Sequence, residues 1–256
     1  MFGDKLRFRF AKTGTLRLLS HHDLMRCLER ILRRASLPFK STAGFHPGPR
    51  VVFAQSLPLG VAGLNEVVEI EFLKEVDDQE TLSSLRSQAP AGLTFTHVSV
   101  IPMKATAVPR RIVYRLEIPA ERVETVSLRC NELLAQEKVW VSRLKPNPKR
   151  LNIRPYLRRL TVVSNRLEFD LWVTGTGTAR ADELVKLLNV SDLIDDGCVV
   201  ERTTVELRDE VANSDPADVP PDGPADTLPL DHATIAALMQ KDEEPVLVPD
   251  FGPVVE

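Results

Sequence analysis

Long apolar runs are missing from this chain of 256 residues. No stretch approaches the roughly 18 apolar residues that a membrane-crossing helix needs. The start, Met1-Phe-Gly-Asp-Lys-Leu-Arg, lacks the apolar core and the small-residue cleavage site of a secretory signal. A cytoplasmic location with no membrane contact is therefore expected. Cysteine is scarce as well: Cys27, Cys130 and Cys198 are odd in number, widely spaced and set among apolar residues. That excludes a disulfide framework and argues against a zinc or iron–sulfur site, leaving reduced core thiols. Neither a metal nor a cofactor is expected.

What is present is charge, unevenly distributed. The net charge of −3 conceals a basic body and an acidic end. Residues 1–60 hold 11 Lys/Arg against 3 Asp/Glu, and residues 101–208 hold 19 against 14, while residues 209–256 hold 1 against 12. A basic body suits a polyanionic partner, and the acidic end is a candidate competitor for the same surface. With 8 prolines in 48 residues and little periodicity, residues 209–256 are expected to be a disordered acidic tail. A short helix from Asp231 to Met239 is the exception.

The body reads as a repeat. Leu6, Phe8 and Phe10 alternate with Arg7 and Arg9 as a half-buried strand. Leu24, Cys27, Leu28, Ile31, Leu32 and Ala35 follow at helical spacing. Strands are expected at Val51 to Ala54, around Val68, Ile70 and Phe72, and from Leu93 to Ile101, with a helix after Asp77 and Asp78. The same order returns with strands over Ile112 to Ile118, Val139 to Leu144, Leu167 to Val173 and Cys198 to Leu207. Helices at Val123 to Leu134 and Ala181 to Leu188 separate them. The expected class is α+β, with tandem ferredoxin-like βαββαβ domains over residues 1–104 and 105–208 and the tail beyond.

Two basic regions stand out. Ser20 precedes Asp23 by three residues, a capping-box variant. His21 and His22 project about 100° apart, so they do not converge on one metal ion. Behind the cap, Arg26, Arg30, Arg33 and Arg34 lie along one side of the helix, with Glu29 able to pair with Arg33. The following loop carries Lys40, Gly44, Phe45, His46, Pro47, Gly48 and Arg50, and its Gly/Pro content suits a rigid phosphate cradle. It lacks the spacing of a nucleotide-hydrolysing loop. The second region runs from Lys145 to Leu160. Its Lys149, Arg150, Arg154 and Arg158 are candidate phosphate contacts, and Tyr156 is a candidate stacking surface. On the first sheet, Arg7 and Arg9 are expected opposite Glu69 and Glu71. No aromatic pattern of the RNA-recognition-motif type appears there, which places any polyanion site on the helix and loops.

The run Lys5-Leu-Arg-Phe-Arg-Phe, Leu19-Ser-His-His-Asp-Leu-Met-Arg, Glu29-Arg-Ile-Leu-Arg-Arg-Ala, Leu37-Pro, Gly44-Phe-His-Pro, Phe53-Ala, Leu57-Pro-Leu-Gly and Glu66 resembles a bacterial family. Its members are called radical-SAM-linked or radical-SAM-associated proteins (domain of unknown function 2344). Asn152-Ile-Arg-Pro-Tyr-Leu is similar to the family too. The chain departs from the usual pattern at three places: His46 replaces an asparagine, Gly48 a histidine and His22 a leucine. The resemblance implies a partner, a radical SAM protein of the B12-binding type. This chain has no Cys-x3-Cys-x2-Cys motif and so is not itself the radical enzyme. The expected role is a non-catalytic accessory protein that binds an RNA or ribosome-related substrate and presents it. One alternative is a metal-independent endoribonuclease with His21 as general acid or base. Another is a protein-interaction subunit that meets no nucleic acid.

Overall fold

A computed structural model describes residues 3–145, 147–211, 218–221, 223 and 225–242. It is a mixed α/β protein with helices packed on strands in sheets. The first half contains β1 (Lys5–Lys12), α1 (His21–Arg34), β2 (Val51–Phe53), β3 (Ala62–Glu71), α2 (Asp78–Gln88) and β4 (Leu93–Ile101). The alternation of β1 turns Leu6, Phe8 and Phe10 inward, against Leu24, Leu28, Ile31 and Leu32 of α1. Burying each of those helix side chains is worth about 1.5–3 kcal/mol. The cap forms as its residues suggest: the Asp23 amide donates to Ser20 Oγ at 3.2 Å, and Ser20 Oγ donates to Asp23 Oδ2 at 2.7 Å. At the other end Ser36 takes up a left-handed φ of 52°, and Pro38 prevents the helix from continuing.

The second half contains β5 (Pro109–Glu117), α3 (Val123–Ala135), β6 (Trp140–Arg143), β7 (Lys149–Asn152), β8 (Leu157–Val163) and β9 (Arg166–Trp172). It ends with α4 (Ala181–Leu187), α5 (Ser191–Asp195) and β10 (Glu201–Leu207). One large sheet runs β4-β1-β3-β10-β5-β9-β8, with β2 also paired to β3. The halves thus repeat one strand order, β4-β1-β3-β2 and β10-β5-β9-β8. They are joined where Glu201 and Arg202 pair in parallel with Ala62 and Gly63.

Two expectations need correction. The strand expected at Val139 to Leu144 is not in the large sheet; β6 pairs with β7, which pairs in turn with β11 (Thr227–Pro229). Its place in the repeat is taken by β8, which begins inside the basic stretch from Lys145 to Leu160. The second correction concerns β1. Arg7 faces Glu69 as expected, but Arg9 lies opposite Val67, and Lys5 is the residue opposite Glu71.

The expectation of a disordered tail falls partly on residues 212–217 and 243–256, outside the described residues. Within them, β11 and α6 (His232–Asp242) are formed, the latter over the short helix expected from Asp231. Described acids of this segment meet the body. Asp209 accepts from Arg7 at 2.7 Å and 3.0 Å, Asp218 accepts from Arg158 at 2.8 Å, and Asp226 lies 2.9 Å from Lys138. Among the described residues no helix is long and apolar enough to cross a membrane.

Candidate nucleic-acid interface

The arginine row on α1 is where the spacing puts it. Leu24, Leu28, Ile31 and Leu32 occupy the buried side, so Arg26, Arg30, Arg33 and Arg34 are left on the solvent side, and all four are exposed. They are not equally free. Arg26 lies 3.4 Å from Asp23. Arg33 donates to Glu29 at 3.0 Å and 2.8 Å and lies over the Phe39 ring. Arg34 donates to the Gln88 carbonyl at 2.8 Å. Arg30 makes no ion pair or hydrogen bond with a described residue.

The neighbouring loop is a tight protrusion. Ser41 and Pro49 form an antiparallel bridge, the Thr42 amide donates to the Gly48 carbonyl at 2.8 Å, and the Arg50 amide donates to the Lys40 carbonyl at 2.7 Å. Gly44 sits at φ +137°, a conformation that a side chain would strain. The tip holds Phe45, 103% exposed, with His46 and Pro47 also in solvent. Lys40 and Arg50 are partly spent, each 3.3 Å from Glu71 Oε2. Burial would raise the Glu71 carboxyl, but its bonds from Lys40 and Arg50 prevail and hold it below its ordinary value.

His21 is half-buried, with its ring edge-on to Phe53 at 5.0 Å between centroids. His22 lies 6.1 Å from it. Asp23, the adjacent carboxylate in sequence, is occupied by Ser20 and Arg26. This is packing, not a base oriented by an acid. Among the described residues, no group of three or more His, Cys, Asp or Glu is placed to hold a metal ion.

The second basic region divides. Lys149 and Arg150 sit on β7, with Arg150 exposed and lying over the Trp140 ring at 5.5 Å. Arg154 and Tyr156 are structural, against expectation. Arg154 donates to the Leu134 and Gln136 carbonyls at 3.0 Å and 3.2 Å, closing the end of α3. Tyr156 is 1% exposed, so it offers no stacking face. Its hydroxyl lies 3.4 Å from Thr176 Oγ1. Arg158 is held by Asp170 at 2.5 Å and by Asp218.

One charged surface was missed in the sequence. In β5 and β9, residues 111, 170 and 172 alternate with the core residues Ile112, Phe169 and Leu171, so they face away from the helices. There Arg111 lies 3.7 Å from Asp170 and 3.3 Å from Glu206. Arg110 and Arg158 both lie over the Trp172 ring, at 5.0 Å and 5.3 Å. The only signal was the recurrence of charge between core positions, which also marks an ordinary solvated face.

A family model described as "Uncharacterized protein conserved in bacteria (DUF2344)" matches residues 5–185. The chain belongs to this family. The match takes in α1, its loop and most of the second half. No curated protein matches the chain. Among solved structures, the chain is similar to an unknown protein from Galdieria sulphuraria, with 13% identity and a TM-score of 0.27, over 80% of this chain and 99% of that one.

Proposed function

We propose that this protein is an accessory RNA-binding module that acts in the cytoplasm beside a radical SAM protein of the B12-binding type. Each half is read as a ferredoxin-like βαββαβ unit, a reading that the repeated strand order supports. The observation that carries the RNA part is the exposed arginine row of α1. Its member Arg30 has no ion-pair partner among the described residues, and the projecting loop beside it offers a bare aromatic ring at Phe45. Guanidinium groups take phosphate oxygens in bidentate fashion, and an exposed ring can stack on an unpaired base. The partner rests on the motif resemblance of residues 5–70, together with the lack of cluster-binding cysteines in this chain. A binding role accords better than cleavage with His21 packed on Phe53.

The test sets binding against cleavage, using a single-stranded RNA with wild type, Arg30→Ala and His21→Ala. Binding by wild type, weakened in Arg30→Ala, with no cleavage by any form, is the expected result. Cleavage by wild type that His21→Ala abolishes, with binding kept, would establish the endoribonuclease instead. No RNA binding by wild type at low salt would leave the protein-interaction subunit. The partner is tested by affinity capture at native expression levels, where a radical SAM protein is expected among the retained proteins. Its repeated absence would remove the accessory role.

A further inference from the structure

On the sheet face away from the helices, Arg110, Arg111, Arg158 and Arg159 surround two carboxylates of the sheet region, Asp170 and Glu206. A third carboxylate, Asp218, enters from the acidic segment. Four guanidinium groups against two local acids leave a surplus of two positive charges, and Asp218 meets only part of it. The arginines do not depend on Asp218 for their positions. Arg110 donates to Glu206 at 2.8 Å, Arg158 donates to Asp170 at 2.5 Å, and both stack on Trp172. Arg111 Nε and Asp170 Oδ1 are buried, face each other at 3.7 Å and have no hydrogen-bond partner among the described residues. Two cavities flank the cluster. One of about 410 Å³ is lined by Arg110, Thr174, Thr176 and Arg208, and one of about 450 Å³ by Arg158, Arg159, Trp172 and Asp218.

We infer that Arg110, Arg158 and Trp172 form a phosphate-binding site in which the chain's own Asp218 stands in for the ligand. The carboxylate occupies the position that a phosphate oxygen pair would take. Arg158 Nε donates to Asp218 Oδ1, and Arg110 donates to its backbone carbonyl and faces its other carboxylate oxygen at 3.7 Å. Arginine binds both groups with the same planar fork. A phosphate monoester dianion would match the surplus of two charges, while the hydroxyls of Thr174 and Thr176 would supply neutral contacts. Asp218 remains partly exposed and can exchange with a competing anion. This site is separate from the arginine row of α1, and it stands or falls whether or not that row binds RNA.

The experiment uses the full chain and two probes. Adenosine 5′-monophosphate offers a terminal phosphate, and uridylyl-(3′→5′)-uridine offers only a backbone diester. Asp218→Asn removes the internal anion at constant size. Asp226→Asn removes the same charge from the same acidic segment at Lys138, away from the cluster. Asp218→Asn is expected to bind at least one probe about tenfold more tightly than wild type, since the competing state is removed. Asp226→Asn should not. A gain for the monophosphate alone identifies a terminal phosphate as ligand, and a gain for both identifies any phosphate. Adding Arg158→Gln to Asp218→Asn should erase the gain. The inference is overturned if Asp218→Asn binds neither probe more tightly, if Asp226→Asn gains as much, or if the gain survives in a folded double variant. If the double variant does not fold, the comparison of the two single variants decides.

Discussion

Arg202 and Glu66 form a buried ion pair across the seam between the two halves. Arg202 is 0% exposed. It donates from Nε to Glu66 Oε1 at 2.7 Å and from Nη2 to Oε2, and its remaining donors reach the Ser56 and Gln55 carbonyls at 3.0 Å and 3.1 Å. Gly63, opposite Arg202 in the parallel pairing, leaves space for this. A Cβ there would come within 2.5 Å of Glu66 Cγ.

Breaking that pair from one side should be costly. Glu66→Gln leaves a guanidinium buried without its counter-charge, and a loss of about 3–5 kcal/mol is expected. Urea denaturation of wild type and variant measures it. The double change Glu66→Met with Arg202→Met should recover much of the loss, because neither charge is then stranded. A single variant within 1 kcal/mol of wild type would contradict the assignment of this pair as the fastening of the seam.

Acid should detach the acidic segment before it unfolds the body. Hydrogen bonds from Arg7 hold the Asp209 carboxyl below its ordinary 3.8, and those from Arg158 do the same for Asp218. A carboxyl depressed in the folded state contributes stability that is whole above its unfolded value. That contribution is lost as pH falls through the depressed folded value. The attachment should therefore hold at pH 5 and weaken below about 3.8. Trp172, beside Asp218, reports it. In a Trp140→Phe background the fluorescence should change in that window, and Asp218→Asn should abolish the change. Loss of the signal already between pH 7 and 5 would contradict these ion pairs.

How much of this was legible follows from the range of each interaction. The first half could be read closely because β1 and α1 carry their own periodicity, and the Ser20 and Asp77 caps act within three residues. β8 was hidden because Arg158 and Arg159 look like a solvated connection, whereas both reach Asp170 on the next strand. The missed signal was the turn Ser164-Asn165, with φ of 48° and 63°, a two-residue hairpin loop between apolar runs. Tyr156 was misjudged from its basic neighbours. Its burial depends on Gly177, 21 positions away, where a Cβ would lie 3.2 Å from the hydroxyl. The charged face was invisible for the same reason, since its pairs join residues as distant as Arg110 and Glu206.

The thiols should differ in reactivity. Burial pushes the Cys130 thiol up to about 11, so at pH 8 about one molecule in a thousand carries the thiolate that reacts. Iodoacetamide at pH 8 should leave Cys130 unmodified in the folded protein and modify it in urea, as peptide mass spectrometry would show. Rapid labelling in the native state would place Cys130 outside the core formed with Val126 and Leu133.

The arginines of α1 should be unequal in RNA binding, in an order set by their partners. Arg30 has no partner among the described residues, so Arg30→Ala should remove one full phosphate contact. On single-stranded RNA that flattens the slope of log K against log salt by about 0.7. Arg33 must give up Glu29 and its place over Phe39 to reach a phosphate, so Arg33→Ala should cost less affinity and flatten the slope less. Glu29→Gln releases Arg33 and should bring its contribution up to that of Arg30. Exposed pairs of this kind are worth about 0–1 kcal/mol, so all three variants should unfold within that margin of wild type. Filter binding across a salt series, with a denaturation curve for each variant, makes the comparison. Equal losses for Arg30→Ala and Arg33→Ala would mean that the ion pair to Glu29 does not restrain Arg33 in solution. No loss for either would remove α1 from the interface.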